Sequence, residues 1–244
     1  MKLMIIRHAE PDYEHDSLTE EGFKEAKALA SMLKGEKIDK FFISPLGRAQ
    51  DTANETLKLI GREAKTLPWL KEFEYPIEKG REDPYSAGIA WDWFPSDWTK
   101  KPEYFSKDEW YNPPEMKDGH IKEHYDEVCS SLDALLEAEA GYKRDGLMYS
   151  CINGNNDTYA FFCHFGLEAV LLSHLLNISP MVLWHGTCAL PSSVTTVVTE
   201  ERVKGEAYWR MLSFGDLSHL RLAGLEPSFA ARFCECYENE DERH

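Results

Sequence analysis

Leu3-Met4-Ile5-Ile6-Arg7-His8-Ala9-Glu10 is the stretch on which the fold turns. Four apolar residues are followed at once by a cation, an imidazole and a carboxylate. A short apolar run fits a strand buried on both faces. The switch to Arg7-His8 then sets reactive side chains at the strand's carboxyl end, where open α/β sheets bind ligands. In that place His8 is a candidate nucleophile toward phosphate and Arg7 a candidate phosphate clamp.

The next segments continue the pattern. Thr19 suits the N-cap of a helix over 20–34 with acidic residues in its first turn. Phe23, Ala26, Ala30 and Leu33 form its apolar stripe. Residues 39–44 read as a second buried strand. Ser44-Pro45 then opens another helix, with Ser44 as cap and Pro45 in the first helical position. Ala49, Ala53, Leu57 and Ile60 lie on its buried face, and Gly61 closes it. Arg48 sits in the first turn on a different face. A cation is unfavourable at a helix N-terminus, whereas an anion is welcome there, so a bound phosphate would account for Arg48.

Residues 67–74 read as a short extended segment carrying two candidate carboxylates, Glu72 and Glu74. From 75 to 120 the texture changes. Trp91, Trp93, Phe94, Trp98, Tyr104, Phe105, Trp110 and Tyr111 crowd in among prolines and charges, with no clean period. This stretch reads as an irregular cap or lid inserted in a single domain, with a satellite core under long loops as the alternative. As a cap it would offer a substrate a ring face, with Lys100 and Lys101 available to a second anionic group. A helix follows over 123–140. Strands over 147–152 and 158–163 are joined by the turn-forming string Asn153-Gly154-Asn155-Asn156-Asp157. The second ends in Cys163-His164-Phe165-Gly166 before a helix over 167–176, which repeats the opening logic. Strands over 194–199 and 208–214 complete an α/β pattern, and the last dozen residues are charged.

Composition narrows the partners. The chain has 244 residues, 43% of them hydrophobic, and a formal net charge of −16. That is enough apolar material for a sizeable core. The charge argues against nucleic acid and anionic membranes as partners. A phosphate site must then be a local basic pocket in an acidic surface. The six cysteines include no C-x-x-C pair and are too sparse for a disulfide scaffold, so reduced thiols and a cytoplasmic location are expected. The amino-terminal apolar run is too short for a signal peptide, and no stretch has the length of a membrane span.

Attack on a phosphomonoester needs an unprotonated nucleophile, an offset for the charge on the phosphoryl oxygens and a proton for the departing alkoxide. Neutral histidine has a free lone pair near pH 7. Arg7 and Arg48 each offer paired N–H donors and stay charged. His164 adds further donors. Glu72 or Glu74, kept neutral by its setting, supplies the proton. Neither a metal nor another cofactor is required. His120 and His124 are four apart but lack the H-E-x-x-H context of a zinc site. Cys163, beside His164 on a strand, points to the opposite face and reads as packing.

These residues, in this order, resemble the histidine phosphatase superfamily of phosphoglycerate-mutase-like proteins. The resemblance runs through Ile5-Ile6-Arg7-His8-Ala9-Glu10, Ser17-Leu18-Thr19-Glu20-Glu21-Gly22 and Ser44-Pro45-Leu46-Gly47-Arg48-Ala49-Gln50-Asp51-Thr52-Ala53. It continues in Leu70-Lys71-Glu72, Cys163-His164-Phe165-Gly166 and Phe214-Gly215-Asp216-Leu217-Ser218-His219-Leu220. Residues 75–120 are unmatched. The resemblance implies a three-layer sandwich with a mostly parallel central sheet flanked by helices and an inserted cap. It further implies that His8 is phosphorylated in turnover, that Arg7, Arg48 and His164 complete the phosphate pocket, and that Glu72 is the acid. Two departures stand out. Ala9 replaces the family's usual glycine, and Pro11-Asp12-Tyr13-Glu14 lacks the asparagine that often touches phosphate. The expected activity is metal-independent hydrolysis of a small phosphorylated substrate. A phosphoglycerate-type mutase and a catalytically weak phosphate-binding regulator are the alternatives.

Overall fold

The opening apolar run becomes β1 (Lys2–Arg7), buried at every position after Lys2. In the computed structural model, which describes residues 1–79 and 88–229, a small ribbon of β2 (Pro11–Asp12) and β3 (Ser17–Leu18) follows. Next come α1 (Glu20–Leu33), β4 (Lys40–Ile43), α2 (Gly47–Ile60) and β5 (Lys65–Thr66). Short helices α3 (Pro95–Trp98) and α4 (Pro114–Asp118) precede the long α5 (Ile121–Ala140). The chain continues through β6 (Tyr142–Asp145), β7 (Met148–Cys151), β8 (Thr158–Cys163), α6 (Phe165–Leu176) and α7 (Pro180–Gly186). It finishes with β9 (Val194–Val203), β10 (Glu206–Asp216) and α8 (Ser218–Ala223).

Eight strands form one sheet in the order β5-β4-β8-β1-β9-β10-β7-β6. The first four are mutually parallel, and β9, β10, β7 and β6 extend the sheet as an antiparallel half. Strand alternation splits the core in two. Leu3 and Ile5 face a large cluster with Leu132 and Leu136 of α5 and Val170 of α6. Met4 and Ile6 face a smaller one with Leu29 and Leu33 of α1 and Ala53 and Leu57 of α2. Helices thus cover both faces, which gives the α/β sandwich that the family resemblance implies.

The crossover geometry places the site. From β1 the chain passes through α1 to β4 and leaves one position vacant between them. That position is filled by β8, buried at all six residues. Arg7 pairs with Cys163, and Ile43 with Phe162. His8, Ser44 and His164 therefore leave three neighbouring strands at nearly the same level, at the carboxyl ends where a topological switch opens a crevice.

Several local expectations shift. Thr19 caps α1 as expected, accepting from the Gly22 N–H at 3.0 Å. α2 begins at Gly47 rather than after Ser44, and Ser44 caps nothing in it. Within the segment 67–74, read as extended, residues 68–70 instead make a turn of 3₁₀ helix. The Asn153–Asp157 string does not make a hairpin, because β7 pairs with β6 and β10 while β8 lies in the parallel half. Within the described part of the insert, Trp93, Trp98, Tyr104 and Trp110 are buried in the large core. Trp110 meets Trp184 of α7 edge-on at 5.8 Å. Lys101 is paired with Glu115 and covers the rings of Trp93 and Tyr104, and Lys100 lies 3.9 Å from Asp97. Both lysines are taken up by carboxylates of the insert itself. Cys234, Cys236 and the charged last dozen residues lie outside the described residues. Among those described, no helix is long and apolar enough to cross a membrane.

Candidate functional site

β1 delivers Arg7 and His8 together. The backbone there is fixed on both sides: the His8 N–H donates to the Cys163 carbonyl, and the His8 carbonyl accepts from the Ser192 N–H at 2.9 Å. The His8 ring Nδ1 lies 2.8 Å from the Ala9 carbonyl oxygen. A carbonyl only accepts, so Nδ1 carries the proton and Nε2 keeps its lone pair. Burial, reinforced by Arg7 and then Arg48, holds His8 well below the usual imidazole range, although the bond to Ala9 works the other way. The ring is neutral at pH 7.

His164 faces it, with ring centroids 5.1 Å apart and planes at 57°. Its Nε2 is 2.7 Å from Ser44 Oγ. That hydroxyl already accepts from the Leu46 N–H at 3.2 Å, so its own proton is free to go to His164. With the hydroxyl as donor the ring proton lies on His164 Nδ1, a buried atom with no hydrogen-bond partner among the described residues. Burial, followed by His8, Arg48 and Arg7, keeps this ring neutral too. One imidazole thus presents a lone pair and the other an N–H donor.

Two guanidinium groups complete the cluster. Arg7 is nearly buried, donates from Nη1 to the Ala189 carbonyl and lies over the Phe165 ring at 5.5 Å. Arg48 is also buried; its Nη1 is 2.7 Å from Asp16 Oδ1, and its Nε has no partner among the described residues. Orphaned buried donors such as Arg48 Nε and His164 Nδ1 are uncommon in folded proteins and point to a missing anionic acceptor. Thr52 ties the two halves together, donating to the Arg48 carbonyl and accepting from the Ala9 N–H.

Glu72 and Glu74 separate cleanly. Glu74 is exposed. Glu72 is buried, and its Oε1 accepts from the N–H groups of Phe73 at 2.7 Å and Leu167 at 3.0 Å, at the start of α6. Burial raises its pKa against the pull of those bonds and of Arg7 and Arg48. Gly166 is packed against it: a Cβ there would lie 2.8 Å from Glu72 Oε1 and 2.4 Å from Trp91 Nε1, so only glycine fits. All five candidates, Arg7, His8, Arg48, Glu72 and His164, therefore converge on the carboxyl ends of β1, β4 and β8.

The two sequence departures find their places. The Ala9 methyl packs in a small apolar cluster with Leu18 and Ala26. Glu14 is exposed, and its N–H is held by Asp12. Of the residues set aside as metal ligands, His120 is exposed and 3.5 Å from Glu123, and His124 stacks on Tyr75. Cys163 is fully buried in the core.

Asp16, Ser44, Thr52 and Glu168 were not singled out as site residues by the sequence. Glu168 is buried beside Arg7 and Glu72, and burial pushes it up to about 7. Asp16 has a positive φ of 46°, which aspartate tolerates, and the Asp before Ser17 was the available hint. Its carboxylate accepts from the Gly47 N–H at 2.7 Å as well as from Arg48, so it caps α2 from outside the helix. Asp16→Ala is expected to lower stability by about 1–2 kcal/mol through loss of that cap. Asp16→Asn, which keeps an acceptor for Gly47, is expected to lose less than half as much in thermal denaturation.

The sequence profile of the histidine phosphatase superfamily (branch 1) matches residues 3–210. No curated protein sequence matches the chain significantly. Several solved structures share its fold. A phosphoserine phosphatase from Entamoeba histolytica superposes with a TM-score of 0.56 at 20% identity, covering 90% of this chain and 98% of that one. A mycobacterial glucosyl-3-phosphoglycerate phosphatase gives 0.55 at 15% identity over 88% and 98%. The α-ribazole phosphatase of Shigella flexneri gives 0.54 at 15% identity over 89% and 97%. With its diagnostic residues gathered at one crevice and a profile match over most of its length, the chain belongs to the histidine phosphatase superfamily.

Proposed function

We propose that the chain is a metal-independent phosphomonoester hydrolase that works through a phosphohistidine on a small phosphorylated substrate. One observation carries the reading: two buried neutral imidazoles face each other between two guanidinium groups, one with its lone pair free. The phosphatase descriptions of the structural relatives support hydrolysis as the reaction class.

In the first step His8 Nε2 attacks phosphorus, an N–P bond forms and the ester P–O bond breaks. Arg7, Arg48 and His164 Nδ1–H donate to the phosphoryl oxygens, where charge is held as the bonds exchange. Glu72 gives its proton to the leaving oxygen. In the second step the Glu72 carboxylate takes a proton from water, the hydroxide attacks phosphorus, and the N–P bond breaks to return neutral His8 and phosphate. A buried carboxyl is suited to this work because burial raises its pKa from the ordinary carboxylate range toward the working pH.

The test is to quench the protein during turnover of labelled p-nitrophenyl phosphate in EDTA. The expected result is a phosphoprotein stable in alkali and labile in acid, with the label on residue 8. Turnover with the label on another residue, or with none, overturns the mechanism. Supplying 3-phosphoglycerate with a bisphosphoglycerate primer separates hydrolysis from mutase activity.

A further inference from the structure

Beside the phosphate pocket lies a cavity of about 440 Å³ between residues 68–75 and the middle of α5. Its size falls in the range of small-molecule sites. Two residues join it to the reaction centre. Glu72 forms part of its wall, and Pro45, also in the wall, follows the Ser44 that holds His164. We propose that this cavity is a leaving-group subsite that takes a neutral aromatic or heteroaromatic ring. The assignment rests on the phosphatase reading above, since it takes Glu72 to serve the leaving oxygen and so sets the leaving group on the side of Glu72.

The lining argues for a ring. Trp69, Phe73 and Tyr75 supply an aromatic wall, and Trp69 and Tyr75 are half-buried. The wall is rigid before anything binds. Tyr75 is stacked on His124 with centroids 3.5 Å apart and planes at 6°, and Phe73 meets it edge-on at 5.0 Å. Phe73 is itself stacked on buried Trp184 at 5.6 Å. A preformed aromatic face favours a flat partner, because little ordering entropy remains to be lost.

The charges argue against a second anion. Among the described residues Lys71 is the one cation in the wall, and it already lies over the Tyr75 ring at 5.4 Å. Glu127 of α5 lines the same cavity and offsets it. Ser131 offers a hydroxyl for a polar edge of the ring. A site for a second phosphate would instead gather several cations. Of the insert's aromatic residues, Trp93, Trp98, Tyr104 and Trp110 are packed into the core, and half-buried Trp91 lies against Phe165 beside Glu72, where it extends the same aromatic surroundings.

Phosphonates test the subsite by binding alone, independent of turnover. Phenylphosphonate is expected to bind at least about tenfold more tightly than methylphosphonate by calorimetry. Trp69→Ala and Tyr75→Ala are expected to bring that ratio to within about twofold while leaving methylphosphonate affinity unchanged. Glu127→Gln, on an exposed position that leaves the fold intact, is expected to improve binding of 4-carboxyphenylphosphonate about threefold relative to phenylphosphonate. A phenyl-to-methyl ratio near one in the unaltered protein, or one insensitive to both Trp69→Ala and Tyr75→Ala, overturns the subsite even if hydrolysis depends on His8. Absence of His8-dependent hydrolysis refutes the phosphatase reading whatever the ratio, so the two failures are distinct.

Discussion

Replacing His8 with alanine is expected to lower kcat/KM for p-nitrophenyl phosphate by about 10⁴-fold or more. The size follows from the position. His8 is the imidazole whose lone pair is both free and unprotonated, because Nδ1 is committed to Ala9 and burial keeps the ring neutral. No neighbour can replace it. His164 presents an N–H rather than a lone pair, and Cys163 is sealed in the core with its thiol pushed well above the usual range by burial. The substitution leaves a cavity beside His164, so melting should be measured in parallel. An intact fold with lost turnover is the expected pair of results. Activity within tenfold of the unaltered protein would remove His8 as nucleophile.

The second large effect is at Glu72. Glu72→Gln keeps an oxygen for the Phe73 and Leu167 N–H groups but cannot give up a proton as an acid. The loss should be about 10²–10⁴-fold on alkyl phosphates, whose leaving oxygens need that proton. It should be much smaller on p-nitrophenyl phosphate, whose leaving group departs as a stable anion. The pH profile carries the sign. Burial raises Glu72 above the usual 4.5, and the first step needs the protonated form, so the rate falls as pH rises through the raised value. In Glu72→Gln that alkaline limb should vanish. Stability follows the same linkage. A carboxyl raised on folding adds stability that is complete below 4.5 and lost as pH rises through its folded value, so the glutamine variant should gain relative stability at pH 8 and none at pH 4. An unchanged alkaline limb would assign the acid elsewhere.

The strands that build the crevice were legible because each is an apolar run ended by an abrupt polar switch. Arg7-His8 and His164 sit where that switch predicts. The N-cap Thr19 and the left-handed Gly61 that ends α2 were legible for local reasons of hydrogen bonding and φ. What escaped depends on contacts between distant segments. Asp16 meets Arg48 across 32 positions, and Ser44 meets His164 across 120. Ser44-Pro45 has the local chemistry of a helix start, but the tertiary bond to His164 takes the hydroxyl for the site. The choice between Glu72 and Glu74 needed burial, which spacing does not reveal. The hairpin reading at Asn153–Asp157 failed because turn chemistry says nothing about which strands will pair. β6 was missed because Tyr-Lys-Arg-Asp has only one apolar side chain to signal a strand. The insert showed no period because its indoles fill space beneath loops.

The vacancy that β8 fills has a consequence for synthesis. As the protein emerges from the ribosome, β1 and β4 are complete more than a hundred residues before the strand that belongs between them. Their facing edges carry unsatisfied backbone groups and apolar side chains throughout that interval. Such edges invite pairing with other nascent chains. The decisive moment in biogenesis is the arrival of Thr158–Cys163, when a gap in the sheet closes and the crevice comes into being with it.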